Sequence, residues 1–301
     1  MINNFAGYLG ETAALTAALL WAISSIVYAR LGVNISPLQL NLYKGIVAIA
    51  LIVITLFGQK LDLSQVTANT WELLFLSGVI GIGLGDTAYF AALNSLGARR
   101  TLLLETASPP LGALLAAIAI GEQLTSIAWC GMLLTIIGIA WVISERNPIN
   151  NRKPERLGII YGLLAAIAQA SGAVISRWAL VQSNISPLAS TLIRLVGGTI
   201  IVIGLLWFLP QKTQSNSVKW QLTGQSIAII VLAATMSTYL GIWLQQISLK
   251  FAPTGIAQTL LATSPLFILP LVALQGEKIS YRAILGVCIS LIGIALMFVR
   301  L

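Results

Sequence analysis

Asn34-Ile35-Ser36-Pro37-Leu38 recurs as Asn184-Ile185-Ser186-Pro187-Leu188, 150 residues further along the chain. Three more matches follow in the same order. Ser108-Pro109 returns as Ser264-Pro265 after 156 residues, and Gly121-Glu122 returns as Gly276-Glu277 after 155. Gly138-Ile139-Ala140 returns as Gly293-Ile294-Ala295, again after 155. A single five-residue match arises by chance; four in one order at near-constant spacing mark an internal duplication. The spacing grows within the copy because 210–225 is longer than its counterpart 58–70.

Each copy has the composition of a membrane segment. Of 301 residues, 57% are hydrophobic and 9% charged, and the mean hydropathy is +0.92. Soluble domains carry about 25% charged residues, so an ordinary water-soluble fold is excluded. Ten apolar stretches can be read, at 12–29, 38–57, 71–93, 101–119, 127–144, 157–176, 188–209, 226–247, 256–274 and 283–299. Each is close to the ~20 residues that carry a helix across ~30 Å of hydrocarbon. They are continuous and not alternating, which excludes a β-barrel. The expected fold is therefore an all-α membrane protein of ten transmembrane helices. Residues 11–145 form a first repeat (helices 1–5) and residues 157–300 a second (helices 6–10). Five is odd, so the second copy enters from the opposite side of the membrane. The copies are then inverted repeats, an arrangement that puts a substrate site near the midplane between them.

Other counts narrow the function. The longest polar connections are 145–156 and 210–225, too short for a soluble domain. There is no histidine, and Cys130 and Cys288 each sit inside an apolar run. No disulfide framework is suggested, and a zinc or haem site would have to be built almost entirely from carboxylates, of which there are nine. No metal or cofactor is expected. The net charge of +8 comes from 17 Lys and Arg, mostly in short connections. That distribution suits orientation in an anionic bilayer better than binding of nucleic acid. The first ten residues lack Lys and Arg, and further spans follow the first, so no signal peptide is read.

In each copy Ser-Pro opens the second span, and a basic residue follows the Pro by seven positions: Lys44 after Pro37, Arg194 after Pro187. The fourth span carries Ser108-Pro109 or Ser264-Pro265 and ends in Gly121-Glu122 or Gly276-Glu277, before a Gly-rich fifth span. Over nearly its whole length the chain resembles the EamA-type transporters of the drug/metabolite transporter superfamily. The resemblance implies a ten-helix secondary transporter with a central cavity, often exporting amino acids, other small metabolites or drug-like compounds, commonly coupled to protons. It also implies a prokaryotic plasma (inner) membrane location and no enzymatic activity. The expected partners are a small-molecule substrate and the lipid bilayer, with no nucleic acid and with a monomer as the working unit.

Four charged side chains fall a helical turn or more inside the apolar runs, Lys44, Asp86, Glu105 and Arg194, whereas Glu72 is the second residue of its run. A charge at helix depth costs at least about 2.5–3.5 kcal/mol on insertion scales, so each is a candidate site residue. Lys44, Asp86 and Glu105 lie roughly 6–11 Å below one membrane face, counted at about 1.5 Å per residue. Arg194 sits at the matching depth from the other face. The acids have no counterparts, because an offset of 156 lands on Ile242 and Leu261. Glu105 and Asp86 are therefore candidate proton-coupling groups, and Lys44 and Arg194 candidate substrate ligands. The structural alternatives are that Lys44 pairs with Glu105 or Asp86 to lock helices, or that both cations snorkel to the surface.

Aromatic and polar residues add a second set. Trp21, Ser24/Ser25 and Tyr28 share one face of the first span, and Thr235, Tyr239, Trp243 and Gln246 share one face of the eighth. Such faces suit an amphiphilic solute; an aromatic belt at the interface is the alternative for Tyr28 and Trp243. Trp21, Tyr239, Trp243 and Gln258 complete the candidate substrate-binding set. Pro109-Pro110 and Pro265 interrupt the backbone ladder of spans four and nine. Gly121-Glu122 and Gly276-Glu277 are expected to end helices in water, without a chemical role.

With ten spans both termini share a face, which carries Lys60, Arg177, Lys250 and Arg300. Eleven Lys and Arg lie in the opposite loops. The positive-inside rule then puts the termini outside the cytoplasm, whereas the resemblance implies cytoplasmic termini. Two other classes remain: a passive channel or facilitator, or a non-transporting membrane partner; and an intramembrane enzyme, for which Asp86 with Glu105 is the best available pair.

Overall fold

A computed structural model of the chain describes residues 8–31, 35–59, 66–144, 156–208, 224–267, 270 and 280–297. The described residues are helical, with no strand among them. The helices are α1 (Leu9–Leu31), α2 (Pro37–Gln59), α3 (Ala68–Gly78), α4 (Asp86–Leu96), α5 (Ala98–Glu105), α6 (Ser108–Ile120) and α7 (Ser126–Ser144). They continue with α8 (Arg156–Val181), α9 (Pro187–Phe208), α10 (Gly224–Ala234), α11 (Gly241–Phe251), α12 (Thr254–Leu261) and α13 (Tyr281–Met297). Two π-helical segments, Val79–Gly85 and Thr235–Leu240, join α3 to α4 and α10 to α11 without a break.

Six of the resulting rods are long and apolar enough to cross a membrane: Leu9–Tyr28, Pro37–Gly58, Ala68–Leu96, Arg156–Val181, Pro187–Phe208 and Gly224–Phe251. Shorter apolar helices cover Ser108–Ile120, Ser126–Trp141 and Ile284–Met297. Large apolar side chains such as Phe57, Ile118, Trp207 and Leu232 point outward, as they do where the solvent is lipid and not water.

The stretch 101–119, expected as one span, is two helices. α5 ends at Glu105, and α6 restarts at Ser108 with prolines in its first turn. Pro109 and Pro110 lack N–H groups, and such a residue is tolerated only where a helix begins. The stretch at 256–274 behaves alike: α12 ends at Leu261, residues 262–263 turn, and residues 264–267 resume a helix. Beyond 267 that stretch, including Gly276-Glu277, falls outside the described residues apart from residue 270.

The main helix packings come in pairs. α11 lies on α1 as α4 lies on α8; α9 crosses α3 and the first π segment as α2 crosses α10 and the second. α6 packs on α8 as α12 packs on α1. α7 and α13 pack on each other, and there the contacts are reciprocal. Thr135 Oγ1 donates to the Ser290 carbonyl at 3.5 Å, and Ser290 Oγ donates to the Thr135 carbonyl at 3.3 Å. Gly131 faces Gly293 while Gly138 faces Gly286, so the two helices run antiparallel.

This crossing depends on small residues that let backbones touch. A Cβ at Gly138 would lie 2.6 Å from the Gly286 carbonyl oxygen and 2.7 Å from the Ser290 nitrogen. Gly204 has nothing within 4 Å of its Cβ position. Gly138→Leu should therefore lower thermal stability by overpacking, a cost of about 1–3 kcal/mol. Gly204→Leu should leave it unchanged or raised. Melting curves of the two variants in one detergent check this.

Candidate functional site

The irregular segments surround one central cavity of about 160 Å³. α1 contributes Trp21, Ser24, Ser25 and Tyr28; the α2–α4 region contributes Lys44, Ile82, Asp86, Tyr89 and Phe90. The broken fourth span contributes Leu102, Glu105, Thr106 and Ser108, and the broken ninth Gln258, Leu261, Ala262, Ser264 and Pro265. Gln169, Arg194, Ser237, Thr238, Ile242 and Gln245 close the remaining side.

The π segments shape this site through their backbone. A π turn shifts the hydrogen-bond register and leaves carbonyls that other groups must satisfy. In the second segment the Ser237 carbonyl accepts from Trp21 Nε1 at 2.8 Å, and Tyr28 Oη and Ser237 Oγ are 2.7 Å apart. In the first, Asn41 Nδ2 reaches the Ile82 carbonyl at 2.9 Å, and Thr87 Oγ1 donates to the Gly83 carbonyl at 2.6 Å. α1 and α2 are thus each pinned to a π segment of another helix.

Lys44, Asp86, Glu105 and Arg194 all reach the cavity, in different states. Lys44 forms an ion pair with Asp86, and its Nζ stands 5.1 Å from the centre of the Phe90 ring. Of the two acids expected for Lys44, Asp86 is the partner. Glu105 ends α5 at the helix break, with Oε1 buried and without a hydrogen-bond partner. Asp86 is near enough to Glu105 and to Arg194 to act on both electrostatically. Arg194 is 1% exposed and Lys44 6%. Neither snorkels to the surface.

Trp21 and Gln258 also line the cavity; Gln258 Nε2 donates to the Gln169 carbonyl at 3.2 Å. Tyr239 and Trp243 do not line it. Tyr239 Oη lies 2.8 Å from Thr55 Oγ1, and its ring packs on Trp243 at 6.0 Å within an apolar cluster that includes Ala48, Ile52 and Leu195. Gln246, on the same expected face, is buried, its Oε1 accepting from Ser176 at 2.5 Å and Ser190 at 3.2 Å. The face expected from a uniform 3.6-residue period is displaced by the π turn at Thr235–Leu240, which presents Ser237, Thr238 and Gln245 instead. Gln169, Gln245 and Tyr89 were missed because isolated polar residues in apolar helices carry no periodic signal.

Glu122 departs further from expectation. Gly121 does end α6, in the left-handed conformation (φ 69°). Glu122, however, is not left in water. Its Oε1 pairs with Arg177 Nε at 2.5 Å, and its Oε2 accepts the Thr254 N–H at the start of α12 at 2.8 Å. Arg177 Nη1 in turn caps the end of α11 through the Leu249 and Lys250 carbonyls, at 2.7 and 2.8 Å. Lys250 Nζ adds a bond to the Ile185 carbonyl at 2.6 Å. This clasp joins the ends of α6, α8, α11 and α12, roughly 20 Å along α6 from the cavity. No sequence spacing announces it, since its partners are far apart in the chain.

Behind the clasp Ser248 is fully buried. In a chain freed of Cys130 and Cys288, Ser248→Cys should resist a bulky membrane-impermeant maleimide and become reactive once Glu122→Gln is added. Equal rates with and without Glu122→Gln would show that the clasp does not seal this face.

The EamA-like transporter family profile matches the chain twice, over residues 8–144 and 156–299. An Archaeoglobus fulgidus protein described as an uncharacterized transporter is 25% identical over 291 residues, covering 94% of this chain and 95% of its own. A solved crystal structure superposes with a TM-score of 0.75 over 96% of both chains at 17% identity, a likeness of fold. Matched over most of its length, and built of apolar helices around a central cavity, the chain belongs to the EamA-like transporter family of multi-pass integral membrane proteins.

Proposed function

We propose that the chain is a secondary transporter that exports a small metabolite, amino acid or drug-like solute through the central cavity, with proton coupling at Glu105 assisted by Asp86. The observation that carries this reading is Glu105 itself. It is a carboxyl at a helix break on the cavity wall, its Oε1 buried without a hydrogen-bond partner and without an ion pair among the described residues. A carboxyl so placed changes its proton occupancy when the cavity opens to water or receives a charged solute. The clasp of Glu122 and Arg177 is the closed face in this scheme, and its opening exchanges the side on which the cavity is exposed.

The same reading takes 11–145 and 157–300 as two five-helix inverted repeats in a prokaryotic plasma membrane, working as a monomer. Supporting it, the π segments start at Val79 and Thr235, 156 residues apart, the spacing of Ser108-Pro109 and Ser264-Pro265. The antiparallel α7–α13 crossing with its reciprocal Thr135–Ser290 bonds also fits a two-fold axis in the membrane plane. Broken helices facing each other near the midplane are a recurrent way of building such a site.

A solute found by metabolite profiling of cells that overexpress the chain should move uphill in proteoliposomes when a pH gradient is imposed. Glu105→Gln should keep downhill movement and lose the response to the gradient. An unchanged response would move the coupling role to Asp86, tested by Asp86→Asn. Movement without any pH response in the unmodified chain would make it a facilitator.

A further inference from the structure

Arg194 is a buried cation that lacks an anion. It is 1% exposed, makes no ion pair among the described residues, and lines the cavity. Among the described residues its sole hydrogen bond runs from Nη1 to Gln245 Oε1 at 3.3 Å, and Nε has no partner. Glu105, although on the same cavity, does not pair with it, and Asp86 is already engaged by Lys44.

The contrast with Lys44 is informative because the two cations occupy matching places, 150 residues apart. Lys44 has the carboxylate of Asp86 and the face of Phe90. The position 156 residues after Asp86 is Ile242, which also lines the cavity. The second half thus has an apolar residue at the place where the first has the acid that pairs with its cation. The guanidinium packs closely on Gly81, where a Cβ would stand only 3.2 Å from Arg194 Nη2. A buried charge is tolerated when it is paired, and leaving it unpaired is strongly unfavourable. A guanidinium used only for packing would be matched with an acid, as Lys44 is, or would reach water.

We propose that Arg194 is the docking group for a solute bearing an oxyanion, a carboxylate or a phosphate, which supplies the missing charge. Its planar fork of donors matches such groups in two parallel hydrogen bonds. Gln245 orients the guanidinium, and Trp21, Tyr89 and Phe90 form the wall that takes the apolar part of the solute. The inference rests on the central cavity being the solute site of the proposed transporter.

The test uses the full chain in lipid nanodiscs and equilibrium binding, which does not require transport. The probes are phenylacetate, phenyl phosphate and the uncharged phenylacetamide. At least one of the two oxyanions should bind saturably and about tenfold or more tighter than the amide; which one does so identifies the source of the charge. Arg194→Met should erase that preference, and Arg194→Lys should keep part of it. Equal binding of the amide, failure of both oxyanions to bind, or a preference that survives Arg194→Met would overturn the proposal. The comparison within the unmodified chain decides the matter even where a variant does not fold. Binding without flux would overturn the transport reading and leave the role of Arg194 standing.

Discussion

Every backbone N–H and C=O inside hydrocarbon must be satisfied by the protein itself, and the rest of this structure follows from where the chain departs from a regular helix. Among the described residues it does so at two π segments, Val79–Gly85 and Thr235–Leu240, and at two breaks, before Ser108 and before Ser264. All four lie around one cavity. The departures are served by side chains from other helices: Trp21 on the Ser237 carbonyl, and Asn41 on the Ile82 carbonyl. The groups that repair the backbone therefore also hold the walls of the site together. In a bilayer such irregularity is tolerated only where it is buried in protein or lines a cavity.

The second constraint is charge. The repeated sequence places a cation seven residues after the Ser-Pro of each half but pairs only one of them with an acid. Lys44 with Asp86 is a complete pair that fixes α2 against α4. Arg194 and Glu105 are left with opposite requirements on the same cavity, and in the proposed scheme a solute completes the first and a proton the second. The clasp of Glu122 and Arg177 lies outside this system. It joins helix ends on the far side, where charged groups can satisfy carbonyls and N–H groups that helix termini leave over.

The sequence revealed the features that composition and spacing control. Apolar runs mark the membrane helices, six of which are long enough to cross among the described residues, and the repeated Asn-Ile-Ser-Pro-Leu marks the duplication that the doubled family match follows. Lys44, Asp86, Glu105 and Arg194 stood out because charge is expensive in an apolar run, and the structure brings all four to one cavity. Prolines foretold the break after Glu105. The π turns were illegible, since they are a matter of hydrogen-bond register and not of composition; for that reason Tyr239 and Trp243 were assigned to a face they do not share with the cavity. Glu122 was dismissed for a related reason: a Gly-Glu pair at a helix end reads as solvent-facing, and nothing local points to Arg177. Contacts between distant elements leave no trace in spacing alone.

The central claim is that two copies of one five-helix unit face each other upside down across the cavity. Ser36 and Ser186 hold the same place in the two copies. With Cys130 and Cys288 replaced, Ser36→Cys and Ser186→Cys can each be exposed to a membrane-impermeant thiol reagent in right-side-out and inverted vesicles. The account predicts that the two cysteines react from opposite faces of the membrane. Reaction of both from the same face would contradict it.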